Sequence, residues 1–196
     1  MGETKSDETL LTEFIEGRRA ALGELARRYE PALLGLAGGL LGGRQDLARD
    51  AVQETWVRVI RFGDRFDGRS RFKTWLYRIA INRCHSLSAE AAVWAATESP
   101  KQTMDRNGIE VSNDREDRKT TRPDRAAQTA ERDGVLRRTV EQLGPDKRDV
   151  LLLCYHKGLT HPEAAEILNI PIGTLKSRLN AALEELRGRL SSEMNT

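Results

Sequence analysis

The chain has 196 residues, room for one domain or two small ones, with 38% apolar and 5% aromatic side chains. Charged residues reach 32% yet nearly cancel at +2, which points to a soluble, helix-rich protein whose partners must be read from where the charge sits. The longest apolar run, Ala32 to Leu41, is too short to cross a bilayer, and the acidic start (Glu3, Asp7, Glu8) is unlike a secretory leader, so direct membrane insertion is not expected and a cytoplasmic location is.

Residues 1 to 7 read as a tail. A short amphipathic helix follows with Leu10, Leu11, Phe14 and Ile15 on its buried side, interrupted by Gly17. A second helix carries Leu22, Leu25, Ala26 and Tyr29. Pro31 is suited to open a third, with Leu33, Leu34, Leu36, Leu40 and Leu41 as core, and Gly42-Gly43 closes it.

Asp46 to Ile60 is predicted as an amphipathic helix. Leu47, Ala51, Thr55 and Val59 form one row, and Ala48, Val52, Trp56 and Ile60 the next. Asp46, Asp50 and Glu54 line the opposite side at i, i+4 and i+8, beside Arg49, Gln53 and Arg58. That side suits either a solvated face or a docking strip for a basic partner.

Glycines and polar residues make Phe62 to Arg71 a loop, and Ser70 is placed to cap a helix from Phe72 to about Leu87. Phe72, Trp75, Leu76, Ile79 and Ala80 are its apolar side; Lys73, Thr74, Tyr77, Arg78, Asn82 and Arg83 occupy the rest. Residues 58 to 83 hold eight cations against Asp64 and Asp67, a local excess of six. Aromatics interleaved with cations suit single-stranded nucleic acid, where rings stack on bases and cations follow the backbone. At helical spacing, Phe72 and Trp75 equally suit a core.

Beyond Ser88 periodicity fades. A helix can persist from Ala89 to Ala96, followed by a linker rich in small and acidic residues. Order returns near Glu131 with a helix marked by Val135, Leu136, Thr139, Val140 and Leu143, broken at Gly144-Pro145. Asp146 is placed to cap the next helix, with Val150, Leu151, Leu153 and Cys154 inward and Lys157-Gly158 as its stop.

Leu159 to Leu179 then reads as two helices meeting at a tight turn. Thr160 caps the first, with Glu163 completing a capping box; Ala165, Ile167 and Leu168 face inward. Asn169-Ile170-Pro171 makes the turn. The second helix carries Leu175, Leu179, Leu183, Leu186 and Leu190 at helical spacing, and the last six residues read as tail. Its outer face holds Gly173, Thr174, Ser177, Asn180 and Ala181, flanked by Lys176 and Arg178. Small neutral groups let a helix sit deep in a major groove while the flanking cations reach phosphates. Glu184 and Glu185 would repel DNA, so contact should end near Ala181. The pattern fits a helix-turn-helix that reads duplex DNA, and also an ordinary helical hairpin with a polar outer face.

Three stretches together resemble bacterial RNA polymerase sigma factors of the extracytoplasmic-function (ECF) group. Asp50-Ala-Val-Gln-Glu-Thr-Trp-Val-Arg58 resembles that family's polymerase-binding helix. Phe66 to Asn82 resembles its promoter-melting, minus-ten-reading segment, and Leu143 to Leu183 its minus-35-reading domain. Their order matches. The resemblance implies an all-α fold of two small helical domains joined by a flexible linker. A region 2-like bundle spans 8–88, the linker 89–130, and a region 4-like helix-turn-helix domain 131–190. Two departures stand out: Pro171 caps the recognition helix where serine is frequent, and His161-Pro162 replaces a polar-aromatic pair.

The resemblance also implies roles. Asp50, Gln53, Glu54 and Arg58 would dock on the clamp helices of the largest polymerase subunit. The loop Asp67, Gly68, Arg69, Ser70, Arg71 would cradle a flipped minus-ten base. Lys73, Trp75, Arg78, Asn82 and Arg83 would line the melted strand or its upstream duplex edge. Gly173, Thr174, Lys176, Ser177, Arg178 and Ala181 would face the minus-35 element. Expected partners are core polymerase, duplex and melted promoter DNA, and an anti-sigma factor. No small-molecule substrate, cofactor or metal is implied, and the chain is not expected to be an enzyme. Cys84 and Cys154 belong to no C-x-x-C pair, and three scattered histidines make poor catalytic material.

Linker physics fits a two-site reader. Some 40 flexible residues span about 35 Å r.m.s. and over ~130 Å extended. Two promoter elements about two DNA turns apart need on the order of 70 Å. Polymerase is therefore expected to hold the linker extended, with Asp105, Glu110, Asp114, Glu116 and Asp117 in a basic channel. Without polymerase the domains could pack together or move freely. Two further readings remain: a stand-alone helix-turn-helix regulator, and a sigma-like interaction module that has lost promoter reading.

Overall fold

The computed structural model describes residues 5–97, 134–155 and 159–193, and among them the regular structure is helical. Residues 1–4, the linker acids and Lys157-Gly158 lie outside the described residues.

Helix α1, Asp7–Ile15, starts earlier than the sequence suggests. Ser6 caps it, its hydroxyl accepting the Thr9 N–H at 3.1 Å. Asp7, expected in a tail, accepts from Arg28 at 2.7 Å and from the Tyr29 hydroxyl. Gly17 then takes φ +102°, a left-handed conformation that turns the chain into α2.

Helix α2 is one element, Arg19–Leu40, with Pro31 inside it. The sequence reading broke it there, because proline forfeits a ladder hydrogen bond and crowds the preceding turn, at about 3 kcal/mol. Burial on both sides outweighs that: Ala21, Leu25, Leu33, Leu36 and Ala37 are all at most 3% exposed. The helix ends as expected at the double glycine. Gly43 N–H reaches Gly38 C=O at 2.8 Å while Gly42 and Gly43 sit at φ +64° and +76°, a Schellman-type stop.

Helix α3, Gln45–Phe62, leads through a 3-10 turn, Gly63–Arg65, to the loop before α4, Phe72–Thr97. Ala48, Ala51, Val52, Thr55 and Val59 are buried as the two rows require, but Ile60 is 53% exposed. Arg71, not Ser70, stands at the cap of α4. Its carbonyl accepts from Trp75, and Glu8 of α1 accepts the Phe72 N–H at 3.0 Å. The predicted extension beyond Leu87 is continuous with α4. Helices α1 to α4 close around Leu10, Leu25, Leu33, Val59, Phe72 and Leu76, all at 0% exposure.

The second unit contains α5 (residues 134–141), α6 (Pro145–Tyr155), α7 (His161–Leu168) and α8 (Ile172–Glu193). Pro145 opens α6 rather than merely breaking α5, so Asp146 falls in the first turn, not at the cap. Gly144 holds the capping place, its carbonyl accepting from Lys147 and Arg148 at 3.1 and 3.0 Å. Thr160 and Glu163 form the expected capping box, and Asn169 takes φ 53° to end α7. Leu175, Leu179, Ala182 and Leu186 bury the inner face of α8, which continues past the expected tail start to Glu193. The two units pack together, α7 against α4 and α6 against α2.

Candidate nucleic-acid interface

The loop from Phe66 to Arg71 is pinned at both ends by aromatics and left open between them. Phe66 lies 6.3 Å from Phe72 and 5.4 Å from Trp75, centroid to centroid. Within the loop Gly68 takes φ +70°, and Asp67 accepts the Arg69 N–H at 3.1 Å. That turn lifts cations into solvent: the Arg69 and Arg71 side chains are 89% and 80% exposed. A flexed loop with exposed guanidiniums beside an aromatic wall can hold a base and neutralise phosphates.

Helix α4 presents different residues on different sides. Phe72 is fully buried, and Trp75 is half-buried against it at 6.0 Å, so both serve the core that positions the loop. Arg83 turns toward α3, reaching Glu54 at 3.6 Å and Glu90 at 3.1 Å. Arg78, Ile81 and His85, at i, i+3 and i+7, face the second unit. Thr74, one turn earlier on that row, and Tyr77 are 1% and 2% exposed, although the sequence reading put both off the apolar side of the helix. A helix covered from two sides has little polar face left. Burial pushes the Tyr77 hydroxyl and the Cys84 thiol each up to about 12, so Cys84 is a packing residue rather than a nucleophile.

On α3, Asp46, Asp50 and Gln53 are exposed, while Glu54 is half-buried between Arg58 at 3.7 Å and Arg83 at 3.6 Å. The structure adds apolar residues that sequence reasoning missed. Val57, Ile60 and Phe62 are 42%, 53% and 39% exposed on or beside the outer side of this helix. Their signal was available: they fall outside or at the end of the two buried rows. An acidic strip beside exposed aliphatics is suited to a partner with a basic, partly apolar surface.

In the helix-turn-helix, Gly173, Lys176, Ser177 and Asn180 are exposed, and Thr174 and Ala181 half-buried. Ser177 donates to the Thr174 carbonyl at 2.9 Å. Arg178 pairs with Asp146 of α6 at 2.8 Å, at the edge of the cleft it shares with Asn82 and His85 of the first unit. Glu185 turns back to Lys147 and Arg189, both at 2.7 Å, and away from the exposed face. The recognition face therefore keeps its small, neutral centre.

The structure brings the two candidate DNA faces close to each other. Arg78 donates to the Glu166 carbonyl of α7 at 2.7 Å, and Lys73 meets Glu163 at 3.5 Å. Asn82 and Arg178 line opposite walls of one cleft of about 210 Å³, with His85, Asp146 and Asp149. Among the described residues no group of three or more His, Cys, Asp or Glu side chains could hold a metal ion. No helix among them is long and apolar enough to cross a membrane.

Comparison with known proteins adds family to fold. The Sigma-70 region 2 model matches residues 25–91 and the Sigma-70 region 4 model residues 133–186. The RNA polymerase sigma-H factor of Pseudomonas aeruginosa is 30% identical over 93% of this chain and 92% of its own length. The ECF RNA polymerase sigma-E factor of Haemophilus influenzae is 28% identical over 99% of this chain and 100% of its own. In structure the chain is similar to CnrH, solved with the cytosolic domain of CnrY, at a TM-score of 0.68 and 23% identity, covering 96% and 99% of the two chains. It is also similar to Bartonella quintana RpoE, solved with the anti-sigma factor NepR, at 0.61 and 23%, covering 86% and 96%. Two family models in order, on two helical units with an exposed cationic loop and a helix-turn-helix, place this chain among the bacterial RNA polymerase sigma factors, in the ECF group.

Proposed function

We propose that three surfaces of this chain divide the labour of promoter recognition. Helix α3 docks core polymerase through Asp50, Gln53, Glu54 and Arg58, with Val57 and Ile60 adding apolar contact. The loop Asp67 to Arg71 holds a flipped minus-ten base, and α4 offers Lys73, Trp75, Arg78, Asn82 and Arg83 along the opened strand. Gly173, Thr174, Lys176, Ser177, Arg178 and Ala181 on α8 read the minus-35 element.

The observation that carries this reading is the loop. Arg69 and Arg71 stand in solvent at 89% and 80% exposure, in the loop that joins Phe66 to the Phe72 and Trp75 rings it packs on. A folding role does not require two exposed guanidiniums there, whereas a phosphate-flanked base does. Unpairing a base costs a few kcal/mol, and a pocket that traps it offsets that cost. The chain is not an enzyme: it directs transcription initiation, and polymerase supplies the chemistry. A core-polymerase partner is in keeping with a cytoplasmic location. Two structural neighbours were solved with protein partners, one of them an anti-sigma factor. This supports control of the present chain by an inhibitor of that kind.

The test is run-off transcription by purified core on genomic fragments, with two sets of variants. Asp50→Lys with Glu54→Lys should abolish capture of core; because Glu54 lies between Arg58 and Arg83, Asp50→Lys with Glu54→Gln, which adds no cation there, is the control for fold and should lose capture with a melt within a few degrees of the unmodified chain. Arg69→Ala with Arg71→Ala should leave capture intact and lose promoter opening. Core capture that survives the charge reversal would remove the α3 assignment. Opening that survives the arginine removal would remove the loop assignment.

A further inference from the structure

We propose that Glu8, in the first turn of α1, is a positioning residue for the minus-ten loop: it caps α4 from another helix and so fixes the angle at which the loop Asp67 to Arg71 meets that helix. The inference rests on the proposed role of the loop and adds to it a side chain 64 residues before Phe72.

A helix begins with amide hydrogens that its own carbonyls cannot take, and a side chain at its own cap position ordinarily accepts one of them. In α4 the first such amide, the Phe72 N–H, donates instead to Glu8 Oε1 at 3.0 Å. A carboxylate at that end also suits the helix dipole. With the cap supplied by α1, the loop side chains face outward, Arg69 at 89% and Arg71 at 80% exposure.

The segment that carries Glu8 is itself held fast. Asp7, next to it, accepts from Arg28 Nη1 at 2.7 Å and from the Tyr29 hydroxyl. Arg28 Nη1 also donates to the Lys5 carbonyl at 2.9 Å. Burial first, and the Asp7 hydrogen bond second, push the Tyr29 hydroxyl well above its ordinary 10, so it stays a donor. The Tyr29 ring meets Phe72 edge-on at 5.9 Å. A circuit thus runs from Glu8 through Asp7, Tyr29 and Phe72 back to Glu8. Leu10 and Leu11, at 0% and 2% exposure, anchor the helix on which it stands. The other end of the loop is fixed separately, by Phe66 on Phe72 and Trp75. Release of Glu8 frees one end of the loop and leaves the polymerase-docking side of α3 untouched.

Glu8 also lines an open cleft of about 500 Å³ with Arg28, Arg71 and Lys73, so the rival role is electrostatic, a negative charge acting on those cations. Glu8→Gln separates the two, because the amide keeps an acceptor for the Phe72 N–H and removes the charge.

The measurement uses the full chain assembled with core on a promoter recovered by run-off transcription. Permanganate reactivity of unpaired thymines gives the rate of opening. Templates with each minus-ten base changed in turn give base discrimination. Glu8→Ala should capture core normally and open the promoter about fivefold more slowly, the scale of one lost helix cap. It should lose discrimination at a single minus-ten position, that of the flipped base, and keep it at the others. Glu8→Gln should open within about twofold of the unmodified chain and keep discrimination throughout. Equal rates in Glu8→Ala and Glu8→Gln, whether both normal or both slow, would overturn the inference. So would loss of core capture in Glu8→Ala, which would make the residue general to the fold. Arg69→Ala with Arg71→Ala keeps the two readings apart. If that variant opens normally, the loop assignment falls whatever Glu8 does; if it opens slowly while Glu8→Ala opens normally, only the role of Glu8 falls.

Discussion

Phe72 is the side chain on which the loop and α4 depend most, and its truncation makes a demanding test. The ring is fully buried, 5.9 Å from Tyr29, 6.3 Å from Phe66 and 6.0 Å from Trp75, with the first two contacts edge-on. Phe72→Ala removes the transfer energy of the ring and leaves a cavity, at about 3–5 kcal/mol. Aromatic contacts are worth about 0.5–1.5 kcal/mol beyond buried area, and three rings surround this one, so the upper half of that range is expected. A unit of this size loses roughly 4–8 °C of melting temperature per kcal/mol, so a loss of about 4–5 kcal/mol means about 16–40 °C. Phe72→Leu keeps most of the volume and should cost only about 1–1.5 kcal/mol. Urea titration followed by tryptophan fluorescence reads both, since Trp75 packs on the ring. At a temperature where Phe72→Leu stays folded, core capture should be normal and promoter opening slower, because Phe66 and Phe72 anchor the two ends of the loop. An alanine variant that loses less than ~2 kcal/mol would refute this account, as would a leucine variant equally damaged.

Two further outcomes test the second unit and its packing on the first. Thr160→Ala deletes the hydroxyl that accepts the Glu163 N–H and should cost about 1 kcal/mol, seen as a lower urea midpoint at unchanged slope; no change would mean the capping box is idle. His85 faces Asp149, Asp146 and Arg178 across the cleft, with Asn82 beside it on its own helix. The Asp149 hydrogen bond is the largest influence and lifts its imidazolium above the ordinary 6.5. A pKa raised by packing of the two units means the packed form gains stability that is full below the value in the separated form and fades as pH rises through the packed-form value. The radius of gyration should therefore be larger at pH 9 than at pH 6, and His85→Gln should flatten that difference. A pH-independent radius in the unmodified chain would show that the histidine contact does not contribute.

Local chemistry made much of this legible in the sequence. Thr160 and Glu163 announce a helix start through spacing alone, Gly42-Gly43 announces a stop, and the α3 rows follow from a 3.6-residue period. The failures share a cause: each depends on a neighbour distant in sequence. Pro31 lies inside α2 because both flanks of that helix are buried by other helices. Ser70 lost the capping place to Arg71 while Glu8, sixty-four residues away, takes the Phe72 N–H. Thr74 and Tyr77 are buried as α4 is packed from both sides. Ile60, by contrast, fell at the end of its row where the bundle no longer covers it. Among the candidate site residues, the exposed loop cations could be read from composition; that Arg83 would turn to Glu54 while Arg78 turned to Glu166 could not, because α3 and α7 decide it.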